Sequence, residues 1–388
     1  MLLKSLSELE IKPQTKLKIF NRYIPSQLSF YLRTYSFSST WVAEQIDALC
    51  IRHIRQWIEA PVSSCVSEWL ITPNKKCGMG IPSFINRLEL LQLSKRFTLK
   101  NSRNESIRDL WKDSSPFNIP ADSLLVSMPF NAARKSLITS QHTVAENHLL
   151  GLMYQGKAIK TVTECVPGNI INEWVQVTTN LPGYLFNFVI KALQSQLPTL
   201  ANMARWGKSA TNSCPICGQP QTNKHVLSNC SNPDALARYS SRHDKILEHI
   251  AFWFNSKINK EFQLFVDLPT GQFRQCSDLF IGFRPDMVFV NKHKAFVLEL
   301  TICHETNLVS SKNYKLNKYK DLIKSRAEII KNHDVCVMTC ELSVLGLLSI
   351  DYNIFKVLGI DNLDFNCRAE LIKTVINESF NIYIRRNN

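Results

Sequence analysis

The sequence predicts a mixed α+β and α/β protein: a helical N-terminal half, a small Cys/His metal motif and a C-terminal α/β domain. Three observations predict it. Apolar residues recur at helical spacing through the first 150 residues, three cysteines and a histidine crowd into residues 214–230, and beyond residue 260 short apolar runs alternate with helical periodicity. The expected boundaries are 1–150 for the helical region, 151–212 for a helical linker, 213–232 for the metal motif and 233–388 for the α/β domain.

A chain of 388 residues that is 45% hydrophobic and 20% charged has ample material for a packed core, which excludes disorder as its main state. The net charge of +14 is spread over the whole chain, a pattern suited to a long polyanion, and nucleic acid is the leading candidate. Met1 to Gln14 carries Lys4, Glu8, Glu10 and Lys12 and has no apolar core, so no signal peptide is expected. No apolar run reaches the eighteen or so residues of a membrane span. Twelve cysteines in a long chain without a secretory signal point to a reducing compartment, with thiols buried or bound to metal.

In the first region Leu17, Phe20, Ile24, Leu28 and Leu32 lie near helical spacing, with Pro25 expected to break or kink the helix. Between Trp41 and Ile58 a stripe of Val42, Ile46, Leu49, Ile54 and Ile58 predicts a second helix. Cys77, Gly78, Met79, Gly80, Ile81 and Pro82 form a tight turn, since glycine permits positive φ. Residues 84–100 and 130–150 are again helical. From 182 to 206 the pattern is helix, a break at Pro198 and a short second helix. At its end Arg205 and Trp206 suit stacking on a base or gripping phosphate, while such a tryptophan equally suits a core.

Cys214 and Cys217 are two residues apart in between, His225 follows eight after Cys217, and Cys230 five after that. Thiolate and imidazole ligands in this arrangement suit tetrahedral zinc, with Pro215 and Gly218 supplying the turn that aims both thiols at one ion. Four protein ligands leave no open position, so the zinc is expected to be structural.

The last domain opens with an amphipathic helix over 235–254, placing Leu236, Tyr239, Ile246, Leu247, Ile250 and Phe254 inward; Arg242 and His243 lie on it. A strand at 261–266 precedes a hairpin whose two strands each bring one acid, Asp286 and Glu299. A lysine-rich helix over 308–331, a strand at 335–342 and a final helix at 367–383 complete the order. Glu299 is the one charge in an apolar strand, and burying an unpartnered carboxylate costs several kcal/mol. The two acids therefore fit a shared hard cation such as Mg²⁺, the arrangement that cleaves phosphodiesters. Such sites are usually completed by a lysine two residues after the second acid, where this chain has Thr301. Lys312, Lys315, Lys318, Lys320 and Lys324 of the following helix offer substitutes, with Lys315 and Tyr319 on one face. The plainer alternative makes Asp286 a turn residue, pairs Glu299 with a lysine, and leaves the other lysines in solvent.

Asp286, Glu299 and a helical lysine, in this element order, resemble the restriction-like nuclease fold with its PD-(D/E)XK signature, in a variant whose lysine has migrated to the next helix. The wider sequence resembles the C-terminal half of a non-LTR retrotransposon polyprotein of the restriction-like-endonuclease class, of the ribosomal-DNA-inserting and NeSL-like clades. Five features carry the likeness: the segment ending in Cys77 to Ile81, the Phe186 to Trp206 run with Leu197, Pro198 and Thr199, the Cys/His ligands, Arg242, His243 and Asp244 after them, and Arg284, Pro285, Asp286 with Glu299. The resemblance implies that Asp286 and Glu299 hold magnesium and that Lys315 is the activating lysine, with Lys318 and Tyr319 beside it in a Lys-x-x-Lys-Tyr pattern. It implies a polymerase-thumb-like N-terminal region, nuclear nicking of a DNA target, and a 3′ hydroxyl that primes reverse transcription of element RNA. Nucleic acid is expected at Arg205, Trp206, Arg242, His243 and Arg284. The sequence has no Ala-Asp-Asp polymerase triplet, so a reverse transcriptase portion is expected to be supplied elsewhere and the chain to be a truncated copy. The alternative function is a catalytically dead, zinc-containing nucleic-acid-binding protein.

Overall fold

The computed structural model describes residues 1–112, 119, 122–269, 271–280, 282–326 and 333–387. The expected end of the lysine-rich helix, with Lys331, lies outside the described residues, as do the side chains of Lys320 and Lys324. The chain divides into two compact units: Met1–Lys157 with Pro182–Gln194, and Ala158–Leu181 with Ser195–Asn388. The segment 151–212 is thus shared between the units. Its helix Gly168–Thr178 buries Ile170, Ile171 and Trp174 in one, and its helix Gly183–Leu193 buries Phe186 and Ile190 in the other.

The first unit is helical. Leu17, Phe20 and Ile24 of the helix Pro13–Thr34 meet Ile54 and Trp57 of Ala48–Trp57, Trp69 of Val66–Ile71, and Phe84 and Leu88 of Phe84–Lys100. Phe20 sets its ring edgewise to Trp57 and Phe84, at 6.2 and 6.3 Å. The break expected at Pro25 is absent: the helix runs through it and buries it. An interior proline costs about 3 kcal/mol, and the buried stripe on both sides of Pro25 offsets that cost.

The helix expected from Trp41 to Ile58 contains a π-turn, Ala43–Asp47. One extra residue per turn advances the helical phase, so Cys50 is buried while Leu49, expected inside, is exposed. At the turn, Cys77 and Gly80 take positive φ of 63° and 62°. A Cβ on Gly78 would lie 1.9 Å from the Thr72 carbonyl oxygen, so only glycine fits there.

Among the described residues of the second unit, β1 (Gln263–Val266), β2 (Met287–Val290), β3 (Lys294–Cys303), β4 (Asp334–Ser343) and β5 (Leu348–Ile350) form one sheet in sequence order. All pairings are antiparallel except β3 with β4, which the lysine-rich helix Leu308–Arg326 connects. A parallel pair needs such a crossover, because a tight hairpin only joins antiparallel strands. Val288 and Val297 turn one face toward Phe265, Phe280 and Tyr319. On the other face Phe289 packs 4.9 Å from Phe254, which belongs to the helix Pro233–Lys257. The C-terminal helix Phe365–Ile384 lies against both Pro233–Lys257 and Gly168–Thr178, and the Trp174 indole donates to the Leu345 carbonyl at 2.6 Å. The short strand β5 and the helix Asn353–Leu358 had no distinct signal in the sequence. No described helix is long and apolar enough to cross a membrane, and all twelve cysteines are free thiols.

Candidate functional site

The Cys/His motif folds into a knuckle. Gly218, at φ 75°, reverses the chain so that its amide donates to the Cys214 carbonyl and the Cys214 amide donates to Gln219. One ligand atom from each of Cys214, Cys217, His225 and Cys230 lies within 4.8 Å of the others. The Cys217 sulfur is 3.3 Å from His225 Nε2 and 3.7 Å from the Cys230 sulfur. A tetrahedron with zinc–sulfur bonds of about 2.3 Å has sulfur–sulfur edges of about 3.8 Å, so this donor set fits a metal such as zinc. The Tyr239 hydroxyl, from the next helix, accepts from the Cys230 amide at 3.2 Å and donates to the Val226 carbonyl at 2.8 Å. That tie fixes the ligand loop to the helix Pro233–Lys257.

Asp286 and Glu299 meet where the hairpin register places them. Met287 pairs with Leu298, so Asp286, just outside β2, stands opposite Glu299. The Asp286 amide donates to Glu299 Oε1 at 3.3 Å, and the Leu300 amide donates to Asp286 Oδ2 at 2.7 Å. The Lys315 amine is 2.7 Å from Glu299 Oε2 and 4.0 Å from Asp286 Oδ2. Tyr319, one turn along the same helix, donates its hydroxyl to Glu299. His243 Nε2 lies 3.5 Å from Asp286 Oδ1, and His243 Nδ1 lies 3.2 Å from Asp244.

The electrostatics separate the two acids. Glu299 is 1% exposed, and burial, aggravated by Asp286, pushes its pKa up to about 7. Burial acts the same way on Asp286, but His243 and Lys315 outweigh it and hold that carboxyl below its usual value. Burial alone would lower the Lys315 pKa; Glu299 and Asp286 together raise it. His243 is pushed up to about 9, because Asp244 and Asp286 outweigh its burial. The two buried carboxylates are thus balanced by the Lys315 ammonium and by His243.

Other expected residues stand elsewhere. Arg242, expected at nucleic acid, is 1% exposed, and its guanidinium donates to Ser379 Oγ at 3.0 Å between two packed helices. No polyanion reaches it there, which corrects that expectation. His243, expected to touch nucleic acid, stands at the acid pair. Arg284 is on the surface, with its Nε bound to Asp267 at 2.9 Å. Lys318 is exposed, its amine 5.4 Å from the Tyr319 ring centroid, and does not join the acids. Arg205 is exposed and donates to Asn202, and Trp206 is half-buried. The sequence reading missed Glu341 on β4, which register places beside Thr301 on the lysine-helix face of the sheet. Its only signal was an acid inside an apolar strand, the same signal that singled out Glu299.

No family model matches the chain. Over 252 residues it is 24% identical to the "Retrovirus-related Pol polyprotein from type-1 retrotransposable element R2" of Nasonia vitripennis, a stretch covering 64% of this chain. The chain spans 22% of that protein's length. This distant, partial likeness supports a relationship to non-LTR retrotransposons.

Proposed function

We propose that this chain is the metal-dependent DNA endonuclease portion of a non-LTR retrotransposon polyprotein, nicking a target strand so that the exposed 3′ hydroxyl primes reverse transcription. The observation that carries it is the amine of Lys315 poised between the carboxylates of Asp286 and Glu299. Asp286 and Glu299 would hold Mg²⁺, which when bound polarises a phosphate oxygen and makes its water a stronger nucleophile. Lys315 keeps its proton and offers N–H donors to the phosphate. Tyr319 fixes the rotamer of Glu299, and His243 fixes Asp286 from the opposite side. The knuckle would hold structural zinc, and the basic surface, Arg205, Trp206 and Arg284 included, would grip DNA or element RNA mainly through phosphates. A reverse transcriptase portion would act as partner, and a chromosomal target would place the work in the nucleus.

The test is nicking of supercoiled plasmid with Mg²⁺ or Mn²⁺. Asp286→Asn, Glu299→Gln and Lys315→Met should each slow nicking by about a hundredfold or more, the scale on which loss of a preorganised electrostatic group is felt. Circular dichroism would confirm that the variants fold. Equal nicking by wild type and all three variants overturns the endonuclease reading and leaves a polyanion binder.

A further inference from the structure

The stretch from residue 13 to residue 43 holds Lys16, Lys18, Arg22 and Arg33 and no carboxylate. Its aromatic side chains do not all go inside. Phe20 is buried in the core, but Phe30, Tyr31, Tyr35 and Trp41 are 66%, 52%, 58% and 44% exposed. They form a continuous series: Phe30 to Tyr31 at 5.7 Å, Tyr31 to Tyr35 at 6.2 Å, Tyr35 to Phe37 at 6.3 Å and Phe37 to Trp41 at 5.0 Å between ring centroids. Two of the four steps are near-parallel, at 21° and 18°.

Local backbone bonds set the positions of Tyr31, Tyr35 and Trp41. Tyr31 and Tyr35 are one helical turn apart at the end of Pro13–Thr34, and the Tyr35 amide donates to the Tyr31 carbonyl at 2.9 Å. Ser38 caps the next helix by accepting from the Trp41 amide at 3.1 Å, which sets where the series ends. Cations flank the series. Arg33 reaches Thr98 Oγ1 and the Lys95 amine reaches the Thr34 carbonyl, so both are held beside the rings.

Exposed apolar rings in a row are costly in water unless something covers them. Beside the rings stand the cations Arg33 and Lys95, while the exposed Glu44 lies three residues beyond Trp41, at the far end of the series. A strand of nucleic acid supplies both complements: phosphates for the cations, and base faces for rings spaced about one unstacked nucleotide apart. Duplex DNA keeps its bases stacked on one another and offers the rings nothing. Tyr31 and Tyr35 also bring hydroxyls that can bond to a ribose 2′-OH, the group that marks RNA.

We infer that the ring series from Phe30 to Trp41 is a stacking platform for single-stranded RNA. It belongs to the first unit and owes nothing to the acid pair, so it stands or falls independently of the endonuclease reading.

The experiment is fluorescence anisotropy of the full chain with a twelve-nucleotide oligouridine, alongside the matching oligothymidine and a DNA duplex of equal length. Oligouridine should bind tightest. Tyr31→Ala and Trp41→Ala should each weaken it about tenfold, the cost of one lost stack, with unchanged thermal melting because both rings are on the surface. Tyr31→Phe should retain stacking and lose preference for oligouridine over oligothymidine. Arg33→Ala should reduce the slope of log affinity against log salt by about 0.7, one single-strand phosphate. Equal affinity for oligothymidine, or no change in the alanine variants, overturns the inference. So does dimerisation of the chain that the alanine variants abolish while oligouridine fails to bind, since the rings would then be covering a second copy. Plasmid nicking should be unaltered in Tyr31→Ala and Trp41→Ala, which separates failure here from failure of the acid pair.

Discussion

At the acid pair a single ammonium stands between two carboxylates whose protonation is pushed in opposite directions. Glu299 rises to about 7 while Asp286 falls, so near neutral pH the pair carries between one and two negative charges beside Lys315. Removing the ammonium takes away the charge that balances them. Lys315→Met should therefore raise the Glu299 pKa further, and carboxyl titration by NMR or infrared spectroscopy would detect it; an unmoved Glu299 means the amine is not the controlling charge. Glu341 gives a second prediction at this scale. The residue is 1% exposed, with the Thr339 hydroxyl bonded to its carboxyl and Thr301 beside it in the register. Burial pushes the Glu341 pKa up to about 7 from 4.5, with Thr339 and Lys312 opposing. The folded chain then binds a proton that the unfolded chain releases, so Glu341 costs nothing below about pH 4.5, and folding stability falls as pH rises from there through 7. A shift of that size corresponds to at most about 3 kcal/mol. Glu341→Gln should stabilise the fold at pH 8 by about 1–3 kcal/mol and change it little at pH 4.5; urea melts showing the same difference at both pH values would refute this.

At the scale of elements, the knuckle and the helix after it act as one piece, because Tyr239 bonds to both the Cys230 amide and the Val226 carbonyl. Zinc analysis should find about one ion per chain. Cys230→Ser should lose it and, through Tyr239, loosen the start of Pro233–Lys257, which hydrogen exchange would report as faster exchange over residues 233–240. Full protection without the ion would mean that packing alone holds the helix. The same elements show what the sequence made legible. The hairpin, its two acids and the lysine-rich helix announced themselves through alternation and spacing, and the local register brought Asp286 and Glu299 together as those patterns require. The contact between His243 and Asp286 bridges 43 residues of sequence, and that between Arg242 and Ser379 bridges 137, as the difference of their residue numbers shows. Such contacts depend on how elements pack, which periodicity does not encode. The π-turn at Ala43–Asp47 is equally silent in a hydrophobic pattern, yet it decides that Cys50 and not Leu49 faces the core.

For the whole molecule, the interleaving of the two units constrains how the chain can be cut. Unit two takes Ala158–Leu181 from the middle of the sequence, and unit one takes back Pro182–Gln194. A fragment beginning at Ser195 keeps the sheet, the acid pair and the knuckle, but it lacks the helix Gly168–Thr178. Trp174 would be missing from its place against Leu345, and the Glu173 carboxylate, which pairs with Arg368 at 2.6 Å, would be gone as well. The face of Phe365–Ile384 that this helix covers would then meet water. Burying one large side chain is worth about 2–3 kcal/mol, and the vacated face had covered several: Ile170, Ile171, Trp174 and Val175. The fragment 195–388 should therefore melt well below the full chain and bind a hydrophobic dye. Adding a peptide of residues 158–181 should raise its melting temperature, above the dissociation constant with the logarithm of peptide concentration, as mass action requires of anything that binds only the folded state. If 195–388 melts as the full chain does and ignores the peptide, the helix Gly168–Thr178 is dispensable and the division of the chain lies at residue 195.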